Sequence, residues 1–438
     1  MLEPEIREIK PPITEPILRV GIILSEDRIS KLNVSLSEPR FIIEGFGSSE
    51  VLGPGDLEFE LRGNMVYSPK FGREVARVLI SRDSGSRTMP GSGIGLSPVK
   101  AGRGFHWSKE IRATYSGSIE ILPSETGLVV VNHVELEDYL ASVISSEMSA
   151  ACPTEFAKAQ AIAARSWALV FLGHKHENLP YTICNDDCCQ RYQGTTFMTL
   201  TTLQAIQACR GQVLVSRGGL VCPAYYSKSC GGRTDTIADI LGLRGGDIEG
   251  IFDGPGSCEV LNDSRKFSHF LKYPPTCFCS EQTVERGKLG NYLGKVDEDG
   301  SYFRWRFELS KSDMVKTLNQ SYSPKNIASI ESVSLGRRGD SGRILGADLG
   351  VRDIAGDQFN INLKNQYEIR QVLQPSFLLS SAFVVEEENK NSLTVLGAGW
   401  GHGVGLCQIG ALGMALRGES AASILTHYYP QYQLAQSY

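Results

Sequence analysis

Two consecutive segments, one patterned and one rich in alanine, fix what the middle of this chain can become. From Leu136 to about Met148, roughly 100° of turn per residue places Leu136, Leu140, Val143 and Ile144 on one apolar stripe. Asp138, Ser142 and Ser145 fall on the opposite side. A helix with this pattern buries its stripe. Glu147 lies near the middle of the stripe, so the helix would carry an acid inward. Lost hydration raises a carboxyl pKa, and an acid kept protonated near neutrality can serve as a general acid. Spacing also leaves open a helix end at which Glu147 escapes to solvent. Pro153-Thr154 then punctuates the start of a second helix, whose run Phe156–Phe171 is rich in alanine, a strong helix former. Phe156, Gln160, Ala163, Trp167 and Val170 share one face. Lys158 and Arg165 share another, which by residue type alone reads as solvated surface.

The rest of the chain reads as α+β. Residues 1–16 are Pro- and Glu-rich and are expected to be loose. Residues 17–110 form a β-rich domain of short runs such as Leu18–Leu24, Phe41–Phe46 and Val75–Ile80. Residues 111–235 are the first part of a mixed core, in which Arg112–Ile121 and Gly127–Asn132 read as a hairpin leading into the first helix. Residues 236–392 read as an inserted α+β subdomain, with a strand Tyr302–Phe307 and a helix Leu309–Leu318. Residues 393–438 return to the core and carry a helix over Gly413–Leu425.

At 438 residues the chain can bury two or three cores. Its net charge of −5 argues against a nucleic-acid partner, which needs a clustered basic face. A neutral sugar polymer is compatible. No run approaches the roughly 20 apolar residues of a membrane span, and the charged start lacks the apolar region of a signal peptide.

Four blocks together carry a resemblance. Leu136-Glu-Asp-Tyr-Leu-Ala-Ser-Val-Ile-Ser-Ser-Glu-Met148 and Lys158-Ala-Gln-Ala-Ile-Ala-Ala-Arg-Ser-Trp-Ala168 are two. Ala224-Tyr-Tyr-Ser-Lys-Ser-Cys-Gly-Gly232 and Gly399-Trp-Gly-His-Gly-Val-Gly-Leu-Cys-Gln-Ile-Gly-Ala411 are the others. In this order they resemble the stage II sporulation protein D family, which includes the amidase enhancers. The likeness spans roughly residues 110 to 435, with a poorly matched middle.

The resemblance implies a lytic transglycosylase that cuts peptidoglycan glycan strands at the MurNAc–GlcNAc bond and leaves a 1,6-anhydro product. Glu147, in the family's S-E-M motif, would be its catalytic acid. One acid suffices because the substrate's own C6 hydroxyl is the nucleophile, and Glu137 and Asp138 point elsewhere on the helix. Arg165, in the A-A-R-[ST] signature, would support the site. The alternative implied by the family is a non-catalytic murein-binding enhancer of a cell-wall amidase. Either reading places the chain in the cell envelope, although no signal peptide is visible.

Substrate contacts are expected from the last two blocks. Tyr225 and Tyr226 offer flat faces for a pyranose, but strand alternation sends them to opposite sides, so one belongs to the core. Ser227 and Ser229 offer hydroxyls. Among the glycines, which let backbone approach a ligand closely, His402 and Gln408 offer hydrogen bonds to sugar hydroxyls or N-acetyl groups. A structural His in a tight turn is the competing reading.

Eleven cysteines cannot all pair within the chain. Cys184, Cys188 and Cys189, with His176 or His174, make a zinc-type ligand set. Some members of the resembled family carry a zinc here, bound by His, Cys and a His-Cys pair. This chain has Cys188-Cys189 in place of that pair. A Cys184 disulfide and plain buried thiols stay open. Cys258, Cys277 and Cys279 lack a full ligand set in sequence and read as structural thiols or a disulfide, with a second metal as the remaining alternative.

Overall fold

The computed structural model describes residues 6, 8–47, 49–82, 88–104, 108–172, 175–186, 188–243, 245–294, 301–321 and 326–438. It is mixed α+β, with a β-rich N-terminal part. The central feature is a strand, Leu128–Glu135, that continues without a loop into helix α1, Leu136–Glu147. Both faces of the strand are apolar, and both are covered. Leu128, Val130 and Val134 enter the main core, while Val129 and Val131 meet Leu24, Tyr181 and Cys184 on the other side.

That strand lies inside a seven-stranded sheet in the order Ile183–Cys184, Ile17–Ile23, Leu128–Glu135, Ser118–Pro123, Val78–Arg82, Phe41–Glu44, Glu50–Leu52. A six-stranded sheet of Lys109–Tyr115, Ile94–Ala101, Lys31–Leu36, Gly55–Arg62, Met65–Ser68 and Arg73–Val75 contributes to the same core. Alternation decides its strands: in Lys31–Leu36, Leu32, Val34 and Leu36 are buried and Lys31 and Asn33 exposed. The expected strand Arg112–Ile121 breaks in two at Ser116-Gly117, and its halves join different sheets. Gly117 turns there at φ 74°, where a Cβ would sit 2.1 Å from the His133 carbonyl oxygen. The expected run Val75–Ile80 splits between the sheets in the same way.

Helix α2, Thr154–Phe171, packs on α1 and is buried on nearly every side. Its alanines allow that closeness. Gln160 is fully buried, in keeping with its packing face. Of the face expected to be solvated, Arg165 is wholly buried, while Lys158 stays partly exposed and pairs with Glu155. The polar side of α1 is likewise covered: Ser142 and Ser145 are buried, and Asp138 accepts a hydrogen bond from Thr88.

The N-terminal segment is not loose where it is described. The Ile9 carbonyl accepts from Val221, Glu15 Oε1 accepts the Glu137 amide at 2.8 Å, and the Pro16 carbonyl accepts that of Leu136. These acceptors satisfy two of the donors a helix start leaves open. The latter part of the segment expected as an insertion, extended past residue 392, builds a second core from Trp305 to Val395, with two three-stranded sheets and two helices. Its strand is Trp305–Ser310 and its first helix Lys311–Ser321, each a few residues later than expected. The terminal helix is two helices, Gln408–Leu416 and Ala421–Tyr428, separated where Gly418 takes φ 90°. No helix among the described residues is long and apolar enough to cross a membrane.

Candidate functional site

The last turn of α1 delivers Glu147, half-buried, to the place where the two glycine-bearing blocks meet. Those blocks are joined by a short parallel pairing, Tyr226 with Leu406 and Ser227 with Cys407. Gln408, the first residue of the next helix, donates its side-chain amide to Glu147 Oε2 at 2.5 Å. The Tyr226 phenol lies 3.5 Å from Glu147 Oε1, at the outer limit of a hydrogen bond. Burial, and then the Glu147 charge, push that phenol well above its ordinary range, so it stays protonated. Tyr225 is core, packed edge-on against Trp167, Phe171 and His402. The segment between the two blocks closes the far side: the Gly294 amide donates to the Glu147 carbonyl, and Met148 bridges Leu293.

The other site candidates lie differently. His402 has both ring nitrogens engaged by backbone. The Val404 amide donates to Nδ1 at 3.0 Å, so Nε2 carries the proton it gives to the Tyr226 carbonyl at 3.0 Å. Burial, then the nearby Arg343 and Arg370 charges, lower its pKa to about 3, and the ring is neutral. Ser227 is buried and accepts the Gly403 amide. Ser229 is fully buried, and its hydroxyl has no partner among the described residues. Arg165 does not reach Glu147. It makes a two-pronged pair with Glu137, at 2.8 and 2.6 Å, at the opposite end of α1.

The glycines of the last block serve the chain's own packing. A Cβ on Gly405 would lie 2.0 Å from the Tyr225 carbonyl oxygen, and one on Gly403 2.2 Å from the Arg343 guanidinium carbon. Arg343, wholly buried, comes from the second-core segment and donates to the Cys230 carbonyl and to Ser341. Trp305 of the same segment donates to the Gly399 carbonyl.

Beside this centre, His176, Cys184, Cys188 and Cys189 offer four ligand atoms within 4.8 Å of one another. His174 lies outside the described residues. The cluster hangs on the edge of the large sheet, where Cys184 pairs with Gly21. His176 Nε2 is 3.3 Å from Cys189 Sγ, and Cys184 Sγ is 2.9 Å from Cys188 Sγ. That last distance exceeds a disulfide bond of about 2.05 Å and falls short of the sulfur spacing around a tetrahedral zinc, about 3.8 Å for Zn–S bonds near 2.3 Å. The contact divides the charge unequally: it holds Cys188 far below the usual thiol range and pushes Cys184 up to about 12. Three sulfurs and an imidazole are a donor set that fits zinc.

A second ligand group was not legible as a set. Cys230, Asp253, Cys279 and Cys407, all buried, also converge within 4.8 Å. Cys230 and Cys407 stand inside the two blocks that wall Glu147, and that coincidence was the available signal. Of the trio Cys258, Cys277 and Cys279, only Cys279 joins it, and all eleven cysteines are free thiols.

Residues 124–215, which hold both helices and the first cysteine cluster, match the family described as Stage II sporulation protein. Residues 255–405 match a domain described only as one of unknown function. The chain is 27% identical over 315 residues to a protein of Brachyspira hyodysenteriae described as uncharacterized, covering 72% of this chain and 70% of that one. It is 25% identical over 304 residues to the amidase enhancer of Bacillus subtilis, covering 66% of this chain and 39% of the enhancer. It is 23% identical over 332 residues to stage II sporulation protein D of the same organism, covering 75% and 83%.

Proposed function

We propose that this chain, which belongs to the stage II sporulation protein D family, is a lytic transglycosylase acting on peptidoglycan glycan strands in the cell envelope. The observation that carries the reading is the Glu147 carboxyl, presented at a helix end and held by Gln408 and Tyr226. A protonated Glu147 gives its proton to the glycosidic oxygen as the C1–O bond breaks. The oxocarbenium-like carbon that results is trapped by the sugar's own C6 hydroxyl, whose proton returns to Glu147. The bond pattern closes with one acid, where glycosidases usually need two. In keeping with this, the other acids of α1 are engaged elsewhere, Glu137 by Arg165 and Asp138 by Thr88.

Zinc at His176, Cys184, Cys188 and Cys189 would be structural, since four protein ligands leave no open position for water. Its chemistry would be to cross-link the exit of α2 to the sheet edge. Purified glycan strands incubated with the protein test the proposal: mass spectrometry should find new 1,6-anhydro ends.

A second reading is favoured by the name of one relative, the amidase enhancer. In it the chain binds murein or a cell-wall amidase and cuts nothing. Strand binding without anhydro ends, together with a rise in amidase rate, would select it.

A further inference from the structure

We infer that Cys230, Asp253, Cys279 and Cys407 form a second, buried metal centre that takes a zinc-type dication and locks the wall of the Glu147 site. The ligands come from four separated stretches of chain. Cys230 lies two residues before the end of one wall block, Cys407 precedes Gln408 in the other, and Asp253 and Cys279 lie on the connection between them. None of the four is more than 2% exposed.

Geometry favours a metal over a disulfide. Cys230 Sγ and Cys279 Sγ are 3.8 Å apart. Two thiolates about 2.3 Å from a tetrahedral zinc are about 3.8 Å apart, whereas bonded sulfurs sit at about 2.05 Å. The surrounding groups are those that hold ligands in place. The Cys230 and Gly410 amides donate to Cys407 Sγ at 3.2 and 3.4 Å, and the Gly232 amide to Cys230 Sγ at 3.3 Å. Asp253 Oδ1 accepts from the Tyr428 hydroxyl at 2.6 Å, and Oδ2 from the Cys279 amide at 3.0 Å. A Cβ on Gly410 would lie 2.4 Å from Asp253 Oδ1, so glycine is required there to let the carboxylate in.

Charge points the same way. Three thiolates, a carboxylate and a dication carry a net −2, which is costly to bury without cations. Two guanidiniums are buried beside these sulfurs, Arg304 and Arg343, the latter also facing the Asp235 carboxylate. Arg304 donates to the carbonyls of Leu271, Gly231, Phe303 and Phe270, which are neutral acceptors. The loaded centre supplies the negative charge its position calls for. Loading releases the ligand protons to solvent. With four protein ligands the site is closed and structural. Its consequence is positional: it fixes Cys407, and hence Gln408, against Glu147. The inference stands whether or not Glu147 cuts glycan.

The test uses the full chain carrying His176→Ala and Cys188→Ser, which disables the first cysteine cluster. Native mass spectrometry and elemental analysis should still find one zinc per chain. Replacing it with Co²⁺ should give the intense near-ultraviolet charge-transfer band of thiolate ligation and tetrahedral visible bands. Adding Cys279→Ser should remove that equivalent. No metal in the double variant, a Cys230–Cys279 disulfide on non-reducing peptide mapping, or full zinc retention after Cys279→Ser would each overturn the inference. If the triple variant fails to fold, the metal count and cobalt spectrum of the double variant decide.

Discussion

Gln408 donates its amide to Glu147 across 2.5 Å of space and 261 residues of chain. The acid's position is therefore set by two elements at once: the end of α1, and the start of the helix Gln408–Leu416. Removing either partner should damage turnover far more than folding. Glu147→Gln keeps the shape and loses the transferable proton, a change that typically costs about 10²–10⁴-fold in general acid–base catalysis. Gln408→Ala leaves the acid but removes this one of its contacts. A hydrogen bond to a neutral, protonated carboxyl contributes about 0.5–1.5 kcal/mol, so a roughly two- to tenfold fall in anhydro-product formation is expected. Melting temperatures measured beside the rates check the pair. Activity of Glu147→Gln within a few-fold of the parent would assign the acid to another residue.

His402 should behave as a stability residue with a pH signature. Its folded pKa, about 3, lies below the ordinary histidine value near 6.5. Above pH 6.5 the ring is neutral in both states and its contribution is fully present. As pH falls below 6.5 the unfolded chain takes up a proton that the folded one refuses. Stability then drops by up to about 1.4 kcal/mol per pH unit for one proton, until the pH approaches 3. Below pH 5 carboxylates add their own slopes, so pH 5–6.5 is the window to measure. His427, also lowered by burial, acts with the same sign there. Denaturant titrations of His402→Gln against the parent should show a shallower pH slope. An unchanged slope would mean that His402 titrates normally.

The first helix was readable to within one residue at its end, and the second nearly so, because a repeated 3.6-residue stripe and a run of alanines are local signals. The α+β class was readable for the same reason. The cover over those helices was not. Nothing near Arg165 in sequence announces that Glu137, 28 residues earlier, will meet it inside the core. By residue type Arg165 belongs on the surface; by tertiary structure it is wholly buried. The hairpin before α1 is there, Ser118–Pro123 against Leu128–Glu135, but its first strand starts later than expected, for a related reason. Its strand pattern runs unbroken across Ser116-Gly117, and only the approach of the His133 carbonyl makes Gly117 a corner. At the site, the blocks singled out Glu147, Gln408 and His402 alike. The structure brings the first two into contact and caps the third with backbone, and a backbone-capped imidazole and a substrate-binding one look alike in sequence.

Arg165 should prove indispensable to the fold and remote from the chemistry. Its pair with Glu137 is buried on both sides, and Glu137 also accepts from the Gly211 amide and the Tyr438 hydroxyl. Arg165→Ala strands that carboxylate, and breaking such a buried pair costs about 3–5 kcal/mol. Arg165→Lys should recover little, because one ammonium cannot reproduce two parallel bonds. Glu137 stands ten residues before Glu147, about 15 Å along the helix. The variant that folds should therefore keep its turnover per folded molecule. A collapse in turnover with an unchanged melting temperature would instead place Arg165 in substrate handling.

The cluster of His176, Cys184, Cys188 and Cys189 is positioned to close a joint. His176 follows the end of α2, and Cys184 is hydrogen-bonded into the edge of the seven-stranded sheet beside Gly21. A metal there would hold the exit of α2 against the sheet that carries α1. Binding free energy at such a centre is folding free energy, so a chelator should lower the melting temperature, with activity following the fold rather than preceding it. Replacing Cys188 and Cys189 together by Ser should remove one equivalent of zinc and leave the Cys230, Asp253, Cys279, Cys407 centre loaded. The 2.9 Å between Cys184 and Cys188 names the competing outcome, since modest movement would bring those sulfurs into a covalent bond. Peptide mapping without reductant distinguishes the two. A Cys184–Cys188 disulfide, with the zinc count unaffected by the double substitution, would make this joint a covalent staple and remove the metal from it.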